Sequence, residues 1–243
     1  MKSRSKSGVL LNECFRDSLI IDKYDRVFHH WRQQKLEHLR SENSEDAMSW
    51  NVFWSLKQID PSLWLPKLFF YSFQKEFAYS CISIDVLLWE KLKRPQTLTT
   101  PEGQTEVDII IQSNDFVWCI EAKYKSDISM RTTHDPKRNQ VIRNIDVGLE
   151  YAKGKDFYFS LLILDEEHSP KGLSMTNSYR NSIQMVKEEL PHRNVELSNL
   201  HGIGVFNWFD LYKLLIELST AANSELEKFV AKQASTWLGD KIF

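Results

Sequence analysis

Cysteine is scarce and unpatterned in this chain, with Cys14, Cys81 and Cys119 the only three. They have neither an even count nor zinc-ligand spacing, which excludes a disulfide framework and a structural zinc site and suits free thiols in a reducing compartment. No apolar run reaches the roughly eighteen residues of a membrane span, and no signal-peptide pattern opens the chain, so a cytoplasmic protein with no membrane partner is expected. The glycine patterns of a P-loop or dinucleotide fold are missing, as is a nucleophile elbow. His29, His30 and His38 have no cysteine or carboxylate at ligand spacing, and His134, His168, His192 and His201 are scattered through expected loops. A basic excess is lacking too: 31 Lys and Arg against 33 Asp and Glu leave a net charge of −2. That argues against a general cationic coat for nucleic acid but leaves room for a local basic groove.

What is present suits a globular α/β protein. The 243 residues, 42% hydrophobic and 12% aromatic, can bury a substantial core. Residues 1–8 are polar and basic and read as a disordered start, and the charge-rich segment 9–39 reads as helices outside the core. Asn43 or Ser44 can cap a helix opening at Glu45-Asp46 that carries Trp50, Phe53 and Trp54 inward. An apolar segment at 63–77 and a strand at 82–92 follow, with Pro61, Pro66, Pro95 and Pro101 as punctuation. Beyond residue 124 the pattern predicts a helix over 139–153, with Val141, Ile145, Leu149 and Ala152 on one face, and a buried strand over 157–164. It continues with a helix over 178–190 ended by Pro191, a short strand at 202–208 and closing helices at 211–218 and 226–238.

The chemistry concentrates on two apolar runs, Thr105–Ile111 and Phe116–Tyr124, joined by the turn-forming Ser113-Asn114-Asp115. They read as the neighbouring strands of a hairpin. Side chains alternate across a strand, so Glu121 and Lys123 share a face, while Asp108 lies between Val107 and Ile109 on the partner strand. Buried charges are paired or bind metal, and a carboxylate in such a run is poorly explained as a surface ion pair. Asp108, Glu121 and Lys123 form a metal-binding, water-activating arrangement at the polar end of a buried hairpin. The same acid-x-Lys spacing recurs as Asp135-Pro136-Lys137, in a polar turn where no strand is expected.

Asp108, a gap of twelve residues and then Glu121-Ala122-Lys123 resembles the bipartite motif of the PD-(D/E)XK nucleases, the restriction-endonuclease-like superfamily, with Val107 in place of the motif's proline. The resemblance implies a mixed central β-sheet flanked by helices over 41–243; residues 1–40, outside the resemblance, read from their own pattern as an N-terminal helical extension with a disordered start. It further implies Mg²⁺, with Mn²⁺ as a substitute, held by Asp108, Glu121 and the Ala122 carbonyl, and hydrolysis of phosphodiester bonds with Lys123 orienting the water. Glu45, on the first core helix, is the expected further acid, with Glu90 as rival and Glu106 a third choice. Gln140, on the helix after Lys123, is expected to face the site and hold the lysine or a phosphate. Arg143, Arg138 and Lys125, with Arg131 and Lys137, form the basic cluster expected to contact nucleic acid, DNA before RNA. For Arg143, ordinary helix polarity is an equal alternative. By fold analogy the role extends to bacterial host defence or DNA processing, with a second copy or a defence protein as partner. The alternative is a catalytically silent subunit that binds nucleic acid or protein.

Overall fold

The computed structural model describes residues 3–5, 8–98, 102–131, 138–193 and 195–243. The repeated acid-x-Lys at 135–137 therefore lies outside the described residues, as do His134 and Pro101. Contacts divide the chain into two units, Met1–Asp60 with Leu211–Phe243, and Pro61–Asp210.

In the first unit, β1 (Ser3–Arg4) pairs antiparallel with β2 (Leu10–Leu11), where the sequence suggested a disordered start. The helices expected over 9–39 shrink to 3₁₀ turns at Phe15–Ser18 and Arg26–His30 and one short helix, α1 (Gln33–Leu39). The cause is local: the Asp17 carboxylate accepts from the Cys14 N–H and the Asp25 carboxylate from the Val27 N–H, bonds that compete with helix propagation. α2 (Glu45–Ser49) starts as expected, with the Ser44 hydroxyl accepting from the Ala47 N–H at 3.1 Å, and runs into a π-helical turn, Trp50–Trp54. Trp50 and Phe53 are buried, whereas Trp54 is half-exposed and stacks on Trp50.

The second unit opens with α3 (Pro61–Phe73), in which Pro61 occupies the first turn and Pro66 lies inside the helix instead of ending it. Then follow β3 (Asp85–Leu92), β4 (Thr105–Gln112), β5 (Phe116–Ala122), α4 (Gln140–Ala152) and β6 (Asp156–Ile163). The helix expected over 178–190 is two, α5 (Pro170–Asn181) and α6 (Ile183–Glu189), parted at Ser182, whose backbone is extended. β7 (Leu200–Asn207) completes a five-stranded sheet of order β3-β4-β5-β6-β7. The first three strands are antiparallel and the last three parallel, so the sheet is mixed and α/β in class. Every residue of central β5 is buried. One face packs Val117, Cys119, Phe157 and Phe159 against Val141, Ile142, Ile145 and Leu149 of α4. On α3's side, Phe69 and Phe73 meet Trp118 and Tyr158, and the Ser72 and Ser160 hydroxyls lie 2.6 Å apart. Gly204 allows this approach, since a Cβ there would lie 2.3 Å from Ser72 Oγ.

α7 (Trp208–Ala221) and α8 (Glu225–Ile242) follow. Within the first unit, α8 returns to the early chain: Glu227 accepts from the Asp60 N–H at 2.9 Å, and Lys241 Nζ donates to the Glu42 carbonyl at 3.2 Å. The division at Asp60 and Asp210 thus differs from the boundary expected near residue 40. Among the described residues no helix is long and apolar enough to cross a membrane.

Candidate active site

The hairpin register determines the neighbourhood of the site. β4 and β5 pair from Gln112–Val117 to Ile109–Ile120, and Asp108 and Glu121 are the next residue of each strand beyond the last pair. At that point a side chain takes over from the ladder, Asp108 Oδ2 accepting from the Ala122 N–H at 2.9 Å. On the other side of β4, Trp89 stands between the pairs Leu88–Ile109 and Glu90–Val107, level with Asp108, and has a φ of +58°. Left-handed backbone at a bulky aromatic residue is strained, and such strain gathers at functional sites. It also interrupts alternation. Leu87 and Leu92 join one apolar cluster from an odd and an even position, as do Val107 and Ile110. Face assignments by simple alternation fail here: Glu106 is exposed, as is Glu90.

Glu121 is the most enclosed member of the site, 1% exposed, and Lys123 is also buried. Lys123 Nζ donates to Glu121 Oε1 at 2.6 Å and to the Ala122 carbonyl at 3.2 Å. α4 supplies the rest. Gln140 Nε2 donates to the same Oε1 at 2.5 Å, and Asn144 Nδ2 donates to Oε2 at 2.5 Å. Gln140 thus reaches the carboxylate rather than the lysine. Its orientation is dictated by Ser129, whose carbonyl accepts from the Gln140 backbone N–H and whose N–H donates to Gln140 Oε1. Asn139 caps α4 by accepting from the Ile142 N–H, which sets where Gln140 begins the helix. The strand end is anchored by its own N–H to the Leu162 carbonyl and by Trp208 Nε1, which donates to the Lys123 carbonyl at 2.9 Å.

The expected basic cluster is placed differently. Arg138 is buried, with Nη2 donating to Asp146 at 2.8 Å and Nε 3.1 Å from Glu102. This corrects the expectation of a phosphate contact, because both sides of its guanidinium face protein carboxylates. Arg143 leans on the same segment, 3.6 Å from Glu102 and 3.3 Å from the Gln104 carbonyl. Lys125 is exposed, with its ammonium 5.0 Å from the Tyr124 ring, and Arg131 is exposed. Glu45 belongs to the first unit, in the opening turn of α2.

Asp146 is the centre of a second buried group that sequence reasoning missed. Arg193 Nε donates to it at 2.7 Å and His192 Nε2 lies 3.0 Å away, while Arg193 Nη1 reaches Glu150 at 2.6 Å. Burial works to lower the Arg193 pKa, but Asp146 and Glu150 more than offset it and hold it above its ordinary value. Asn144 was missed as well, although its i+4 spacing from Gln140 is visible in the sequence. Cys119, on the α4 face beneath Glu121, is fully buried, and burial pushes its thiol pKa up, so it is not poised as a nucleophile.

Among the described residues no three or more His, Cys, Asp or Glu side chains gather in a metal-binding group. The donor set at this site is the carboxylates of Asp108 and Glu121, from the two strands of the hairpin, and the Ala122 carbonyl. The formal charges of Asp108, Glu121 and Lys123 sum to −1. Comparison of the chain with protein-family models, with curated proteins and with solved structures finds no match.

Proposed function

We propose that this protein is a metal-dependent nuclease with a restriction-endonuclease-like core, hydrolysing phosphodiester bonds of nucleic acid and of DNA in particular. One observation carries the reading: buried Glu121 holds Lys123, and Asp108 accepts from the N–H of Ala122, which lies between them in the sequence. The order of α3, β3, the β4–β5 hairpin, α4 and β6 in a mixed sheet supports it. The donor set fits Mg²⁺, which commonly takes one or two carboxylates and completes its shell with water and substrate phosphate. Asp108, Glu121 and the Ala122 carbonyl would hold it. When bound, Mg²⁺ supplies Lewis-acid polarisation of a phosphoryl oxygen and lowers the pKa of a coordinated water.

The chain's own groups do the positioning. The Ala122 N–H fixes the Asp108 carboxylate, and Gln140 and Asn144 fix both oxygens of Glu121. Lys123 brings an ammonium to the same place, where it orients a water and stabilises charge developing on the phosphate. A catalytically silent binding subunit is the second reading, favoured by one feature: both Glu121 oxygens already accept from protein donors. A panel of plasmid, single-stranded DNA and RNA with Mg²⁺, Mn²⁺ and Ca²⁺ separates the two. The nuclease reading expects cleavage with Mg²⁺ or Mn²⁺ that is lost in Glu121→Gln. Retention of DNA without cleavage under every metal would leave the silent subunit.

A further inference from the structure

A cleft of about 350 Å³ lies in the second unit along the first half of β7. Its floor is Leu200–Ile203, and its walls include Phe73 from the end of α3 and Tyr179 and Arg180 from the end of α5. β7 ends the sheet and pairs only with β6, so its other edge carries main-chain N–H and C=O groups outside the ladder. Gly202 lets Phe73 lie over the strand, since a Cβ there would come 3.0 Å from the Phe73 ring. On the rim, Ile183 is 45% exposed.

Among the described residues Lys75 and Arg180 are the Lys and Arg side chains of the lining and no Asp or Glu belongs to it, while Asp156 stands beside it, 3.1 Å from His201 Nε2. Lys75 Nζ donates to the His201 carbonyl at 3.2 Å, which holds an ammonium over the strand edge with further N–H donors to spare. Arg180 is exposed, and among the described residues nothing hydrogen-bonds to or ion-pairs with its guanidinium. An open sheet edge between two helices is a seat for an extended chain, which gains affinity from main-chain hydrogen bonds and specificity from alternate side chains. Two cations over an apolar floor select carboxylates alternating with apolar residues.

From this juxtaposition of strand edge, apolar floor and two cations, we propose that the outer edge of β7 docks an extended acidic peptide segment of a partner protein as a sixth strand. The site is built without Asp108, Glu121 or Lys123, so it stands independently of the nuclease reading.

The test uses the full chain and a blocked six-residue peptide alternating Glu and Val, with a Lys-Val counterpart as control. Fluorescence anisotropy is expected to show the acidic peptide binding at least about tenfold more tightly than the basic one. Amide hydrogen exchange should slow within Leu200–Ile203 on binding. Arg180→Glu should weaken the acidic peptide at least about tenfold and improve the basic one, with plasmid cleavage unchanged. Failure of the acidic peptide to bind, equal binding of both peptides, or binding without protection of Leu200–Ile203 would each overturn the proposal. Inorganic phosphate displacing the peptide at equal potency would reassign the cleft as a small-anion site.

Discussion

Glu121 and Asp146 are two buried carboxylates tied to the same helix, and they are neutralised in opposite ways. Glu121 receives one ammonium and two neutral amides, from Lys123, Gln140 and Asn144. Asp146 receives two guanidiniums and a histidine, and its arginines are themselves balanced by Glu102 and Glu150. Counting Arg143, which leans on Glu102, and Glu196, 3.6 Å from Arg193, three guanidiniums and the His192 imidazole face four carboxylates there. A network balanced in this way is closed and has a structural role, because each buried charge already has its counter-charge. The group around Glu121 differs: the hydrogen bonds to its carboxylate come from one ammonium and two amides, and a second carboxylate, Asp108, accepts from the neighbouring Ala122 N–H. α4 thus presents amide donors to Glu121 at Gln140 and Asn144 and a fastening point at Asp146.

The contrast breaks if the two carboxylates respond alike to substitution. Asp108→Ala, Glu121→Ala and Lys123→Ala are each expected to reduce Mg²⁺-dependent plasmid cleavage by about 10²–10³-fold or more, the range for loss of a group aimed at developing charge. Wild-type cleavage by any one of them, purified free of contaminating nuclease, would falsify that residue's role. Asp146→Ala is expected to do the reverse, lowering stability by about 3–5 kcal/mol in urea denaturation because Arg138 and Arg193 lose a buried counter-charge. Its folded fraction should still cleave. A stable Asp146→Ala protein would mean that the network is not what fastens α4.

A finer distinction concerns the amides. Gln140→Ala and Asn144→Ala leave in place the carboxylates proposed to hold the metal but remove one donor to Glu121 each, and groups that orient a ligand in this way are worth about 10–100-fold in metal affinity or activity. Calorimetric titration with Mg²⁺, alongside turnover, reads the effect without depending on cleavage alone. Arg143→Ala should instead leave both near wild type, since its guanidinium rests on Glu102 and the 103–104 backbone. If Asn144→Ala binds and turns over normally, the amide is helix polarity and the site ends at Gln140.

These residues also mark where the sequence was readable. The β4–β5 hairpin could be read because β-branched runs flank an unmistakable turn, which puts Asp108 on one strand and Glu121 on the other, whereas the break in alternation beside Trp89 has no local signature. α4 followed from its apolar period, and the inward direction of Gln140 from the resemblance alone. Asn144 did not, because a polar residue at i+4 looks the same whether it faces water or a carboxylate, and only the packing of α4 on the sheet decides. Arg138 was misplaced because its partners are remote in sequence: Glu102 lies before the hairpin, and Asp146 is a helix residue that reads as solvated until Arg193 arrives from beyond α6. The segment 9–39 was read as helix from its apolar content, while short Asp-to-backbone bonds prescribe turns. The fold division escaped notice because the return of α8 to Glu42 and Asp60 has no local signature.

The smallest expected effect concerns the neutral acids buried beside the two charged groups. Cys119 lies beneath Glu121 on β5, and Tyr179 accepts from Asn139 at the start of α4 and donates to Glu189. Burial raises the pKa of both above their ordinary values of 9.0 and 10.0, and it raises those of Tyr79 and Tyr158 too. For a group whose folded pKa is raised, the folded state holds its proton after the unfolded chain has lost it, so stability falls as pH rises. The contribution is fully present below pH 9.0 and is lost progressively above it, first through Cys119 and then, beyond 10.0, through the tyrosines. Each fully shifted group can contribute at most about 1.4 kcal/mol per pH unit, less for half-buried Tyr79. Urea denaturation at pH 8, 9, 10 and 11 should show stability declining above pH 9, with a shallower decline between 9 and 10 in Cys119→Ala. Equal slopes for the two proteins in that interval would show that the thiol beneath Glu121 reaches water, and that the floor of the candidate site is wetter than its burial implies.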